Sequence, residues 1–258
     1  MSKRIIDLRV THIERVGTKC VLLRARPAEG CLPVCHPGQF AQLKTEAPGA
    51  LLRRPISIHD VEGDEISFLV QMVGEGTQWL GELKPNGLVN AVLPLGKGFT
   101  LPSSKPAGML LLVGGGVGVA PLLFLGKKLK EQGVKPTFLL GAKTKTQLLC
   151  LNAFRKVGGV LVTTEDGSEG EQGFVTQHSQ WSMTNGQCSR IYVCGPMPMM
   201  KAVARLARER GIPCEVSLEN RMACGVGACL CCVTEDRDGH NRCVCTDGPV
   251  FNIEELKW

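Results

Sequence analysis

Alternation marks the first part of the chain. In RIIDLRVTHIERV (residues 4–16) apolar and polar side chains trade places, the period of a half-buried strand. CVLLRARP, GQFAQLKT, PISIHDV and EISFLVQMV follow as short runs separated by Gly, Pro or charged turns. Short strands at even spacing predict a small antiparallel β-barrel over residues 1–103. One short helical stretch, TQWLGELK, interrupts it. PLGKGFTLPSSKPAG is rich in Gly, Pro and Ser and reads as a domain boundary.

The pattern then changes. GMLLLVGGG is an apolar strand running into glycines, and VAPLLFLGKKLKEQG is helical, with Pro121 near its first turn and Gly133 at its end. PTFLLGA and GVLVTTED read as buried strands with the helix TQLLCLNAFRKVG between them. RIYVCGP is another strand, followed by the helix PMMKAVARLARERG. Strands alternating with helices predict a doubly wound parallel α/β sheet over residues 104–213. The remainder, 214–258, is too short for a large core and is expected to lean on its neighbours and a bound metal.

Composition narrows the function classes. A length of 258 residues admits one large domain or two to three small ones. No apolar run reaches the ~20 residues needed to span a bilayer, and the N-terminus has no signal-peptide apolar core. The formal charge of +6 is spread out and aromatics are few, which gives nucleic-acid binding little support. Of the 13 cysteines, six crowd into residues 224–245 and the rest are scattered. That distribution fits a reducing cytoplasm better than a disulfide framework.

The crowded cysteines carry the most specific chemistry. Cys224, Cys229 and Cys232 have the spacing C-x4-C-x2-C, the plant-type [2Fe–2S] signature. Gly225 and Gly227 let the backbone fold closely around an inorganic core. A structural zinc site on Cys229, Cys232, Cys243 and Cys245 is the competing reading, but it leaves Cys224 over. Cys243 and Cys245 share a face of an extended strand, so geometry alone does not choose the fourth ligand between them. Cys31, Cys35 and His36 form a second small group. Its spacing is not standard and a fourth ligand is absent, so a metal site is not expected there.

Two further sites bind anions by their form. Arg54, in RRPIS on a barrel strand, suits a pyrophosphate, and Ser57 offers a donor to a flavin ring edge. Two solvated surface arginines are the plainer reading of Arg53 and Arg54. Gly74-Glu75-Gly76-Thr77 opens a helix whose free N–H groups can meet an anion; Thr77 also reads as an ordinary N-cap. Gly114, Gly115, Gly116 and Gly118 lie in VGGGVGVAP, between a buried strand and a helix, where a nucleotide phosphate can approach the backbone. Cys194-Gly195-Pro196 ends a later strand at the same sheet edge; Cys194 itself reads more readily as a small buried hydrophobe than as a nucleophile. Asp166 either lines that edge or closes an Asp-Gly turn. Lys143 and Lys145 could greet a 2′-phosphate or be solvated loop charges.

The order of these pieces, from R-P-x-S through G-x-G-T and GGGVGVAP to CGP, resembles the ferredoxin–NAD(P) reductase superfamily. RRPISI, ENRMACGVGACLCC and VCTDGPVF narrow the resemblance, over the whole chain, to the electron-transfer subunits of bacterial type B dihydroorotate dehydrogenase. Ile56 stands where many reductases of the superfamily carry an aromatic residue, which fits the dihydroorotate branch. The resemblance implies an FAD site at Arg54, Pro55, Ile56 and Ser57, at Gln71, Met72 and Val73 on the next strand, and at Gly76 and Thr77. It implies cluster ligands Cys224, Cys229, Cys232 and Cys245, with Cys231 an unneeded neighbour.

The resemblance also implies a relay in pyrimidine biosynthesis. Electrons would run from dihydroorotate through a flavin in an FMN-containing catalytic subunit to the [2Fe–2S] cluster, then FAD, then NAD+, within a heterotetramer of two plus two. A dihydroorotate site on a TIM barrel takes ~250 residues, and all three segments here are committed, so that site is expected on the partner. Two other readings share some of these features. One is a stand-alone reductase delivering NAD(P)H electrons to a ferredoxin or oxygenase. The other is a zinc-stapled nucleotide-binding module with no enzymatic role.

Overall fold

The computed structural model describes residues 3–183 and 187–258. The N-terminal alternation becomes β1 (Arg4–Gly17), β2 (Cys20–Pro27), β3 (Phe40–Leu43), β4 (Arg54–Glu62), β5 (Glu65–Gln71) and β6 (Leu88–Leu95). They close in the order β1-β2-β5-β4-β3-β6, with every pair antiparallel. Leu8, Leu23, Ile58, Phe68 and Leu93 fill the interior, and closure leaves no open strand edge. The strand β6 is absent from the sequence expectation. Its alternation includes Pro94 and runs directly into the Gly/Pro-rich stretch, which hides it. The helix α1 (Glu75–Glu82) links β5 to β6. It starts two residues before TQWLGELK, with Gly74 as N-cap and Thr77 as its third residue.

The second part is a sheet of β7 (Met109–Gly115), β8 (Thr137–Ala142), β9 (Gly159–Thr164), β10 (Glu171–Gln172), β11 (Cys188–Cys194) and β12 (Cys214–Ser217). Its helices are α2 (Ala120–Glu131), α3 (Leu151–Val157), α4 (Gln180–Met183) and α5 (Met197–Glu209). The strands β13 (Val233–Glu235) and β14 (Asn241–Cys243) form a separate antiparallel pair, and β15 (Val250–Asn252) returns to the sheet. The sheet order is β10-β9-β8-β7-β11-β12-β15, parallel except for β15, which runs antiparallel to β12. Winding runs outward from β7 to β10, then resumes at β11 on the other side of β7. The β7/β11 boundary is therefore a topological switch point, where open α/β sheets bind ligands beyond the strand ends.

The run TQLLCLNAFRKVG is helical only from Leu151. Residues 145–147 form a separate 3-10 turn, and Cys150 is left-handed at φ 55°. Leu149 is buried and lies so close to the end of β1 that a side chain at Gly17 would meet it at 3.0 Å. Contact with the barrel overrides the local helical pattern.

The C-terminal segment joins both other parts. Its β12 and β15 are strands of the sheet, and Cys232, Val244, Cys245 and Phe251 share one core with Phe40 and Leu95 of the barrel. The barrel also meets α2 directly, through His59 Nδ1 and the Ala120 carbonyl at 2.8 Å and Lys127 Nζ and Asp60 Oδ2 at 2.5 Å. No helix among the described residues is long and apolar enough to cross a membrane.

Candidate functional site: two clefts and a cysteine loop

The first cleft, about 300 Å³, takes walls from all three parts of the chain. Arg54, Pro55, Ile56 and Ser57 line it from β4, and Gln71, Val73 and Thr77 from β5 and the start of α1. The Arg54 guanidinium lies against the first turn of α1, where a Cβ on Gly76 would sit 2.5 Å from its Nε. Only a glycine leaves that space. Arg54 Nη1 donates to the Leu52 carbonyl at 2.6 Å, which fixes the side chain over the helix N-terminus. Arg53 has different work: it donates to the carbonyls of Gln42 (3.2 Å) and Asn90 (3.0 Å), clasping β3 to β6. Neither arginine is fully solvated.

Thr77 is not an N-cap. Its hydroxyl accepts the N–H groups of Val73 (2.9 Å) and Gly74 (3.1 Å) and donates to the Gly74 carbonyl, so it shapes the turn from within. Met72 is not among the cleft's lining residues; its sulfur lies under α1, 2.4 Å from where a Cβ on Gly81 would be. The opposite wall comes from Val117 and Ala120 at the start of α2, and from Leu218, Glu219, Asn220 and Met222 just before the cysteine loop. Glu219 remains solvent-accessible, yet withdrawal of its carboxyl from bulk water raises its pKa. No spacing rule marks residues 218–222; their place becomes visible only once β12 is paired beside β11.

A second cleft of about 420 Å³ opens beyond the strand ends. Gly115, Gly116 and Pro196 line it, with Lys143 and Glu165 from the ends of β8 and β9. The 3-10 turn Gly116–Val119 that leads into α2 lies between the two clefts, since Gly116 faces one and Val117 the other. Gly114, Gly118 and Gly195 serve packing. A Cβ on Gly118 would fall 2.4 Å from Gly195 Cα, so the two switch-point loops touch backbone to backbone. Cys194 is 2% exposed, lines neither cleft, and burial pushes its thiol pKa up. Asp166 is a turn residue. Its carboxylate accepts from Ser168 N and Oγ, which hold its pKa down. Lys145 is paired with Glu169 at 3.0 Å.

In the cysteine loop Cys224 and Cys229 are neighbours, and Cys245 neighbours Cys232. Main-chain N–H groups point at sulfur: Val226 donates to Cys224 and Cys245 to Cys232, each at 3.4 Å. The Val226 N–H, with further N–H groups of the loop, pulls the free Cys224 thiol down to about 6, whereas burial and the neighbouring Cys232 thiol push Cys245 up to about 12. Gly225 and Gly227 hold φ +70° and +86°, which turns the loop around its sulfurs. Among the described residues no three cysteine sulfurs lie within 4.8 Å of one another. A tetrahedral zinc site needs four sulfurs about 3.8 Å apart. Thiols more widely spread than that fit a two-iron cluster, whose two metals would share four protein thiolates.

Cys243 and Cys245 do not share a strand face. The strand β14 ends at Cys243, whose carbonyl accepts from Thr246 N and Asp247 N, and Cys245 lies in the resulting turn. Elsewhere, Cys35 donates to the Pro33 carbonyl, and Cys31, Cys35 and His36 form no converging ligand set.

A barrel and a switch-point sheet sharing one cleft with the residues that lead into a cysteine loop define a reductase-type oxidoreductase with an attached metal-binding segment. Residues 112–205 match the oxidoreductase NAD-binding domain, and residues 219–257 match the iron–sulfur cluster binding domain of dihydroorotate dehydrogenase B. The chain belongs to the family of dihydroorotate dehydrogenase B (NAD+) electron transfer subunits. It is 42% identical over 224 residues to the subunit of Caldanaerobacter subterraneus subsp. tengcongensis, covering 86% of this chain and 87% of the relative. It is 41% identical over 260 residues to that of Shouchella clausii, covering 98% and 97%. Among solved structures it is similar to an NADH-dependent reduced ferredoxin-NADP oxidoreductase studied for flavin-based electron bifurcation. The TM-score is 0.84 at 30% identity, over 97% of this chain and 90% of that one. The ferredoxin reductase in carbazole 1,9a-dioxygenase shares the fold, with TM-score 0.70 at 20% identity over 83% of this chain and 68% of that one. The chain is thus an oxidoreductase of the electron-transfer-subunit family, and the non-enzymatic zinc reading is set aside.

Proposed function

We propose that the chain binds FAD in the first cleft, NAD from the switch point into the second, and a [2Fe–2S] cluster on Cys224, Cys229, Cys232 and Cys245. It passes electrons from the FMN of a catalytic subunit to NAD+. The composition of the first cleft carries this reading. A planar group seated there faces β4, the start of α2 and the residues leading into the cysteine loop at once.

Each set of residues has a task in this scheme. Arg54, over the N-terminus of α1, neutralises a pyrophosphate with charge and forked N–H groups. Ser57 and Gln71 offer polar atoms to a ring edge, while Ile56 and Leu69 supply an apolar wall that excludes water. Gly115 and Gly116 let a second dinucleotide approach the dipole at the start of α2. Glu165 suits a ribose hydroxyl while Lys143 in the same cleft would suit a phosphate, so the choice of NAD follows the relatives named for NAD+. The four thiolates would hold two irons, and the N–H groups aimed at sulfur would offset their charge. When bound, flavin and cluster supply the two-electron and one-electron chemistry; the chain's residues bind, orient and shield.

The partner in this proposal is an FMN-containing subunit carrying the dihydroorotate site, in a heterotetramer of two plus two. The compartment is the cytoplasm, in keeping with thirteen unpaired cysteines. Co-expression with the candidate catalytic subunit, followed by flavin, iron and sulfide analysis and a dihydroorotate:NAD+ assay, tests the scheme. The complex should be active, and the chain alone should reduce dyes with NADH without oxidising dihydroorotate. Dihydroorotate oxidation by the isolated chain would overturn the division of labour, and zinc in place of iron would overturn the cluster. The likeness to a ferredoxin-NADP oxidoreductase favours one second reading, delivery of NADH electrons to a ferredoxin. A free monomer active with ferredoxin, rather than a stable complex, would support it.

A further inference from the structure

Gln42 is a polar residue in an apolar seam. It lies on β3 between Ala41 and Leu43, which point into the barrel. Gln42 therefore points outward with Phe40, and there Phe40 and Leu95 pack against Cys232, Val244 and Cys245. The side chain is fully buried, and neither Nε2 nor Oε1 has a hydrogen-bond partner among the described residues. Its main chain is held on both sides by pairing with β4 and β6, so the amide is presented rigidly.

What faces this amide is the cysteine loop. A Cβ on Gly225 would stand 2.7 Å from Gln42 Cγ and 2.9 Å from Nε2, so the glycine after Cys224 packs directly on the amide. A buried amide with both ends unmade is costly, and an apolar side chain of the same shape would fill this seam without that cost. A partner that arrives with the metal centre satisfies the donor end, because thiolates and sulfides of an iron–sulfur cluster accept N–H groups.

We infer that Gln42 is a positioning residue for the cluster: its Nε2–H donates to a sulfur at the Cys224 corner, so that barrel strand β3 tunes the cluster's potential. This rests on the proposed ligation by Cys224. An N–H donated to sulfur stabilises the more negative, reduced state and raises the potential.

Two measurements on the full, cluster-loaded chain test it. The first is an EPR-monitored redox titration of wild type, Gln42→Met and Gln42→Glu. Losing the donor should shift the one-electron equilibrium about tenfold toward the oxidised form, about 59 mV downward, with Gln42→Glu shifted further the same way. The second is a pulsed EPR measurement on reduced wild type carrying glutamine labelled with 15N in the side chain. A coupling between that nitrogen and the cluster is expected, and it should vanish in Gln42→Met. Unchanged potentials, or a labelled wild type without the coupling, overturn the inference while leaving the cysteine site intact. A wild type with iron absent and no cluster signal defeats the ligation itself. Where Gln42→Met fails to assemble a cluster, the coupling in wild type decides alone.

Discussion

Arg53 and Arg54 are adjacent in sequence and opposite in use. Neighbours at a strand start point to different faces, and here one clasps β3 to β6 while the other reaches the first turn of α1. The resemblance picks Arg54 for the pyrophosphate but gives Arg53 no task; pairing register supplies one. Gly76 makes the difference testable. Replacing it with Ala places a Cβ 2.5 Å from Arg54 Nε, a flexible side chain that yields more readily than backbone. Gly76→Ala is therefore expected to leave fold stability within about 1 kcal/mol of wild type. Flavin retention should weaken roughly tenfold, the scale of one displaced charge-assisted contact. Urea unfolding of the apoprotein and flavin titration separate the two effects. The cysteines divide similarly. Their spacing leaves Cys243 and Cys245 equivalent, and the turn after β14 then puts Cys245 beside Cys232. Cys245→Ser should lose the cluster and Cys243→Ser should keep it, judged by iron and sulfide per chain and by the EPR signal of the reduced protein.

At the scale of elements, the long periodic segments were legible, and the misses have physical causes. The strand β6 hid behind Pro94, and α3 lost its first turn because Leu149 is buried against the barrel. The joint between β4 and α2 was not legible at all, since it depends on which barrel residues meet a helix 60 positions away. His59 is central to it. Its Nδ1–H donates to the Ala120 carbonyl in the first turn of α2, and burial outweighs that bond to lower the ring's pKa below the ordinary 6.5. The folded protein therefore keeps His59 neutral while the unfolded chain takes up a proton near pH 6.5. Its contribution to stability is full above that pH and is lost as the pH falls through it. The loss can reach about 1.4 kcal/mol per pH unit for one proton. Urea unfolding between pH 7.5 and 5.0 should show stability falling on acidification, and the non-titrating His59→Gln should show a shallower fall. Parallel slopes would remove His59 from the joint's proton balance.

Taken whole, the molecule departs most from its sequence pattern in residues 214–258. Their shortness suggests a segment that leans on its metal and its neighbours, as small domains do. The fold makes the neighbours explicit by tying both ends into the sheet: β12 pairs with β11, and β15 pairs with β12. The pairing of β15 with β12 joins residues 33 to 37 positions apart, which local periodicity does not express. The anchors are substantial. Val216, Phe251, Ile253 and Leu256 are buried, each contributing about 1.5–3 kcal/mol. Glu215 accepts the Thr100 N–H at 2.9 Å and pairs with Arg190 at 3.1 Å, fixing β12 to the linker before β7 and to β11. The stretch from Asn220 to Cys231 is tied less: it has no strand pairing and is turns and bends, with Val226 and Leu230 exposed. Removing iron should therefore loosen a loop and leave the sheet in place. In hydrogen exchange on the iron-depleted chain, amides of residues 220–232 should exchange faster than in the loaded chain. Those of β12 and β15 should keep their protection, and the main thermal transition should move little. Exchange rising together through β12, the loop and β15 would instead mark a metal-dependent unit, and the sheet would then be borrowing two of its strands from the cluster.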